Sequence, residues 1–83
     1  MINFDEYEIK PSKHFALSWM LKWNFDIEDI RNALKNAYII EKVGKIKYEA
    51  YTRGRTSRKS RKLIFVVYKD ENQIFIITGA EGK

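Results

Sequence analysis

The chain has 83 residues, a formal net charge of +5 and no cysteine. Without cysteine it can form neither a disulfide framework nor a thiolate metal site, and its single histidine, His14, excludes the usual multi-histidine zinc clusters. A hydrophobic fraction of 45% is sufficient for one small core, so we expect a single domain over residues 1–83.

The sequence gives no sign of a membrane segment or of a cofactor. No apolar run approaches the roughly 18 residues that a spanning helix needs. The N-terminal segment MINFDEYEIK carries acidic residues where a signal peptide would be basic and then apolar. We therefore expect a soluble, cytoplasmic protein that binds no metal and no other cofactor.

Two helices are predicted in the first half of the chain. Ser12 is the predicted N-cap of the first helix, which ends at Asn24 and is apolar nearly all round, as expected of a helix that is buried on more than one side or covers a partner. Asp26 begins the second helix, and Asp29 three residues later completes a capping-box pair. One face of the second helix carries Ile27, Ile30, Leu34 and Ala37.

The second half of the chain has the hydrophobic period of β-strands. Strands are predicted over residues 38–43, 46–53, 63–68 and 73–78. The strand at 63–68 is apolar on both faces and is placed at the centre of the sheet. Residues 69–72 are predicted to form a hairpin turn in which Asn72 takes a positive φ, and residues 79–83 a tail. The expected fold class is α+β, with two N-terminal helices packed on one face of an antiparallel sheet of three to four strands.

The positive charge is concentrated in residues 53–62, which read RGRTSRKSRK. This segment, called the basic run below, has no acidic and no apolar residue. Its cations are Arg53, Arg55, Arg58, Lys59, Arg61 and Lys62. Because such a segment cannot form a core, we predict a loop that binds the phosphates of RNA or another nucleic acid. A solvated loop without a ligand is the alternative.

The order of several short segments carries a family resemblance. Ser12-Lys13-His14 opens the first helix, FDIEDI opens the second at residue 25 and LKNAYIIE follows at residue 34, and the final hairpin ends in Ile-Ile-Thr. Over about residues 9–79 the chain resembles small prokaryotic domains of unknown function related to the BrnT and RelE-type toxin ribonucleases. The resemblance implies two helices against a bent antiparallel sheet, metal-independent RNA cleavage in a toxin–antitoxin system, and an antitoxin partner.

RNA cleavage without a metal requires a base, an acid and a cation that stabilises charge on phosphorus. His14 is a candidate for base or acid, because histidine changes protonation near neutral pH. Lys47, Glu49, Tyr51 and Arg53 share one face of a predicted strand and offer a base, charge stabilisers and a stacking platform. The alternatives are a structural histidine in the first turn and an ordinary solvated strand face.

The sequence favours an RNA-binding, toxin-like protein, and leaves open whether it is also a metal-independent endoribonuclease. One alternative is a non-catalytic nucleic-acid-binding module. It is supported by the first helix, where only Lys22 is charged after His14 at positions that often hold arginine in the similar proteins. The other alternative is a protein-interaction domain whose basic run meets an acidic partner.

Overall fold

The computed structural model describes residues 2–53 and 60–81, which form two helices and a five-stranded mixed sheet. Helix α1 consists of three consecutive segments, Lys13–Phe15, the π-helical Ala16–Met20, and Leu21–Trp23; helix α2 spans Ile27–Lys35. The strands are β1 (Glu8–Pro11), β2 (Ile39–Lys42), β3 (Lys47–Arg53), β4 (Ser60–Tyr68) and β5 (Gln73–Glu81). No helix within the described residues is long and apolar enough to cross a membrane.

Polar caps begin both helices, as predicted. The Ser12 hydroxyl accepts the Phe15 N–H at 3.0 Å and donates to the carbonyl oxygen of Ile77 at 2.7 Å, which ties the start of α1 to β5. The α2 capping box is complete: the Asp29 N–H donates to Asp26 Oδ1 at 2.8 Å, and the Asp26 N–H donates to Asp29 Oδ2 at 3.0 Å. Each cap satisfies backbone donors that have no partner inside the helix.

The strand order is β1-β5-β4-β3-β2, with β1 parallel to β5 and every other neighbouring pair antiparallel. The α+β class and the central position of β4 are confirmed. The prediction of an antiparallel sheet of three to four strands is wrong, because Glu8–Pro11 adds a fifth, parallel strand. β1 is short and mostly polar, and it pairs with a strand from the far end of the chain, so no local pattern indicates it.

Two predicted boundaries are also wrong. β4 begins at Ser60, inside the basic run, and β5 continues to Glu81 through residues predicted as a tail. The register shifts between Ile64 and Phe65 of β4, where Ile77 of β5 is left without a cross-strand partner. Beyond this bulge the two strands stay paired to the end of β5, where Arg61 lies opposite Glu81. The hairpin turn before β5 is as predicted, and Asn72 has a φ of 52°.

The hydrophobic core lies between the helices and one face of the sheet. Ile30 and Leu34 of α2 are buried, as their spacing predicts. The largest fully buried side chains are Phe15, Phe65, Ile30, Leu34, Leu63, Ile74 and Ile76. Successive residues of a strand point to opposite faces, so the residues between these core positions lie on the other face of β3, β4 and β5. We call that face the open face, because neither α1 nor α2 packs on it within the described part of the chain.

Helix α1 approaches the sheet closely at Gly79. A Cβ atom at this position would lie 3.0 Å from Trp23 Cη2, 3.1 Å from Phe15 Cε1 and 3.2 Å from the carbonyl oxygen of Lys62. Two of these neighbours are buried rings, so neither can move aside without disturbing the core. Glycine is therefore required here by space, and not by its backbone angles.

We expect Gly79→Ala to lower the free energy of unfolding by about 1–3 kcal/mol, because it overpacks the contact between α1 and β5. The measurement is urea unfolding followed by tryptophan fluorescence. Gly44→Ala is the matched control, since its Cβ would approach only Lys47, whose Cβ lies at 3.3 Å in an exposed bend. Equal losses in the two variants would contradict this account of Gly79.

Candidate nucleic-acid interface

The described part of the basic run lies at one end of the β3–β4 pair. Arg53 ends β3 and is paired with Ser60, and Tyr51 is paired with Lys62. Arg55, Arg58 and Lys59 lie outside the described residues. The prediction of a loop is thus wrong at the C-terminal end of the run, where residues 60–62 belong to β4. Arg53 ends β3, within the strand predicted over residues 46–53.

Arg61 and Lys62 are adjacent and point to opposite faces of the sheet. Arg61 lies on the core side, with its guanidinium carbon 5.1 Å from the centroid of the Trp23 ring and 5.5 Å from that of Phe25. Its Nε is buried without a hydrogen-bond partner among the described residues. Arg61 therefore stacks on the aromatic end of α1 and contributes to the packing of the helix.

Lys62 joins Glu49 and Tyr51 on the open face. The Tyr51 hydroxyl donates a hydrogen bond to Glu49 Oε1 at 3.1 Å. Lys62 Nζ lies 3.9 Å from the same oxygen and 5.9 Å from the centroid of the Tyr51 ring. The structure thus brings together a carboxylate, a phenol and an ammonium group, which we call the Glu49–Tyr51–Lys62 cluster.

Two other cations of β3 share this face. The guanidinium carbon of Arg53 lies 5.2 Å from the centroid of the Tyr38 ring, and this ring is 49% exposed. Lys47 is exposed at the start of β3, at the other end of the strand. The predicted set of Lys47, Glu49, Tyr51 and Arg53 therefore lies on one face, as its parity requires. Within that set, a hydrogen bond joins Tyr51 to Glu49.

The electrostatics of the Glu49–Tyr51–Lys62 cluster favour the protonated phenol. The hydrogen bond to the Glu49 carboxylate raises the pKa of the Tyr51 hydroxyl above its ordinary value of 10.0. Partial burial and the charges of Glu49 and Glu41 act in the same direction. Glu41 is the cross-strand partner of Glu49 in β2. Tyr51 thus remains a hydrogen-bond donor throughout the physiological pH range.

His14 is exposed in the first turn of α1, away from this cluster. It follows β1, and β5 and β4 lie between β1 and β3. Three interstrand spacings separate β1 from β3 by about 14 Å. The structure does not bring His14 together with Glu49 or Tyr51.

Sequence reasoning missed Tyr38 and Glu41, which border the cluster from the side of β2. Their position depends on the β2–β3 register, in which Ile39 is paired with Tyr51 and Glu41 with Glu49. A predicted turn at residues 44 and 45 was the one available signal for that register. Comparisons of the chain with protein-family models, with curated proteins and with solved structures found no match. The similarity to BrnT and RelE-type toxins therefore stays a prediction.

We expect Glu49→Gln to lower the pKa of Tyr51 toward 10.0, because the amide removes the charged acceptor that holds the phenolic proton. The shift is measured by an NMR titration of the Tyr51 ring carbon that bears the hydroxyl. Since the folded-state pKa is raised, the contribution of Tyr51 to stability is full below the unfolded value. It is lost as pH rises through the folded value.

Glu41→Gln is the control for this titration, because Glu41 acts on Tyr51 through its charge and not through a hydrogen bond. It should lower the pKa of Tyr51 by less than Glu49→Gln does. An unchanged titration of Tyr51 in Glu49→Gln would show that the hydrogen bond is not the main cause.

Proposed function

We propose that the protein binds RNA on the open face of its sheet, at the end where β3 meets β4. The observation that carries this proposal is the position of two cations, Lys62 and Arg53, beside the tyrosine rings of Tyr51 and Tyr38. Cations bind phosphates without regard to sequence, and aromatic rings stack on unpaired bases. In the sequence, the six residues between β3 and β4 carry three more cations.

Both cations are able to bind a phosphate at small cost. The 3.9 Å separation of Lys62 Nζ from Glu49 Oε1 is long for an ion pair, and such partly exposed pairs contribute about 0–1 kcal/mol. Lys62 therefore loses little when it turns to a phosphate. The guanidinium of Arg53 lies over the Tyr38 ring, an interaction that uses the guanidinium face and leaves its N–H groups able to donate to a phosphate.

Tyr51 is suited to act as a platform for a base. Its hydrogen bond to Glu49 and the nearby Lys62 restrict the ring before any ligand arrives. A side chain that is already ordered loses less conformational entropy on binding. The resemblance to toxin ribonucleases supports RNA, and not DNA, as the nucleic acid.

We expect Lys62→Ser and Arg53→Ser each to weaken binding to a fluorescent single-stranded RNA and to reduce the slope of log K against log salt by about one. Tyr51→Ala should weaken binding by roughly 5- to 150-fold, the value of one stacked base. Fluorescence anisotropy over a series of salt concentrations measures both effects.

Lys69→Ser is the matched control, because it removes the same charge just beyond the opposite end of β4. It should leave the affinity within about twofold, since Lys69 would contact no phosphate. Equal losses in Lys69→Ser and Lys62→Ser would show that only net charge matters. An unchanged affinity in Lys62→Ser and Tyr51→Ala would reject the open face as the binding surface.

A second candidate function is metal-independent RNA cleavage, which is favoured by the hydrogen bond between Tyr51 and Glu49. The Glu49 carboxylate would take the proton of the 2′-hydroxyl as its oxygen attacks phosphorus. Lys62 would stabilise the added negative charge, and Tyr51 would protonate the leaving 5′-oxygen. Glu49 would then return its proton to the Tyr51 oxygen along their hydrogen bond. The products are a 2′,3′-cyclic phosphate and a 5′-hydroxyl, and Glu49 and Tyr51 are back in their starting protonation states.

We expect cleavage in the presence of EDTA, with loss of at least 100-fold in rate for Glu49→Gln and Tyr51→Phe, a typical effect of removing a general acid or base. Both variants should still bind RNA. Glu28→Gln, an exposed change on α2, is the control. His14→Ala tests the alternative in which the histidine is the base or acid. RNA left intact by concentrated wild-type protein would reject catalysis and leave the binding proposal standing.

A further inference from the structure

We propose that β2 pairs with β2 of a second copy of the chain, antiparallel and about a two-fold axis through Ile40. The two five-stranded sheets would then form one continuous sheet. The observations that support this pairing are the exposed residues of β2, the hydrogen-bonding groups of its free edge and the register that its sequence permits.

The edge formed by β2 is unusually apolar. All four residues of the strand are exposed. Eight large hydrophobic residues are exposed in the described part of the chain, and five of them lie in or beside β2. These five are Tyr38, Ile39, Ile40, Val43 and Ile46. An exposed apolar edge strand is a template for pairing with another strand.

The opposite edge of the sheet, β1, is protected in ways that β2 is not. β1 ends in Pro11, which has no N–H to donate. Arg31 Nη1 also donates to the carbonyl oxygens of Phe4 and Tyr7, just before β1 begins. β2 contains no proline. The chain therefore blocks one edge of its sheet and leaves the other open.

The backbone of β2 shows which groups face outward. The Val43 N–H donates to the carbonyl oxygen of Lys47 at 2.9 Å, in the same register that pairs Glu41 with Glu49. Hydrogen-bonded pairs alternate along an antiparallel ladder, so Ile39, Glu41 and Val43 bond to β3. The N–H and C=O groups of Ile40 and Lys42 consequently point away from the sheet and are free to pair with another strand.

Symmetry and charge restrict the register. A two-fold axis perpendicular to the sheet leaves the open face of both copies on the same side. Residues opposite each other in an antiparallel pair lie on the same face of the sheet, so the axis must pass through a residue position. An axis at Glu41 or Lys42 would place like charges opposite each other. An axis at Ile40 places Ile40 against its own copy and Ile39 against Glu41, with no like-charge pair. An axis at Ile39 or Val43 also avoids like charges, but it pairs fewer residues of β2 with β2 of the second copy.

This pairing would affect RNA binding. That effect rests on the proposed function, whereas the pairing itself does not. The two open faces would lie on the same side of the continuous sheet. The two copies of β3 would be separated by three interstrand spacings, about 14 Å. One RNA strand could then contact both Glu49–Tyr51–Lys62 clusters, and the second contact would be intramolecular.

Single cysteine substitutions test the register directly, because the natural chain has no cysteine. In the proposed dimer, the two Ile40→Cys residues face each other with Cα atoms about 5.5 Å apart, a distance that a disulfide can span. Mild oxidation should convert most of this variant to a covalent dimer on a non-reducing gel. Val43→Cys is the matched control, since its two copies would lie about 20 Å apart along the strands.

Sedimentation equilibrium of the wild-type protein, without RNA, provides the second measurement. We expect a concentration-dependent dimer, and a dissociation constant at least tenfold higher for Ile40→Pro, which removes an outward amide donor that the monomer does not use. A monomer at all concentrations, equal cross-linking of both cysteine variants, or cross-linking of Glu41→Cys in place of Ile40→Cys would overturn the proposal. A wild-type monomer that still binds RNA would leave the proposed function intact.

Discussion

The antiparallel pairing of β3 with β4 determines both the core and the open face. In its register Ala50 lies opposite Leu63 on the core side, and Tyr51 lies opposite Lys62 on the other. Ala50 and Leu63 are fully buried. A slip of one residue would turn these apolar side chains to solvent, so burial holds the register. Because the core fixes this register, it also fixes the contact between Tyr51 and Lys62 on the open face.

Local signals predicted the parts of the fold that depend on neighbouring residues. The capping box of Asp26 and Asp29 and the left-handed Asn72 are interactions within four residues, and the structure confirms them. The parallel β1 was missed because its partner lies at the other end of the chain. The end of β5 was missed because residues 79–81 pair with β4 beyond a bulge, and because the glycine at residue 79 is explained by its close packing against α1. Neither effect has a signature in local sequence.

The part of the candidate site that follows from the alternation of side chains within one strand was predicted. Glu49 and Tyr51 are two residues apart in β3, so their common face follows from the strand alone. The separation of Arg61 from Lys62 was missed, because the predicted strand began three residues after Ser60. Once β4 is extended, alternation sends Arg61 to the rings of α1 and Lys62 to the open face. A small error in a strand boundary thus changes which cations are available to a ligand.

The charges on the open face indicate how an RNA strand would lie across the proposed site. Arg53 and Lys62 lie toward the end of the sheet where β3 and β4 are joined, and Glu49 faces Glu41 one step further in. Phosphates are repelled by this pair of carboxylates and attracted to the cations beside it. The RNA backbone would therefore follow the end of the sheet, with bases turned inward onto Tyr51. The acids that would restrict where phosphate can lie also raise the pKa of the Tyr51 hydroxyl, so one pair of carboxylates would act on both the path of the RNA strand and the tyrosine on which its bases stack.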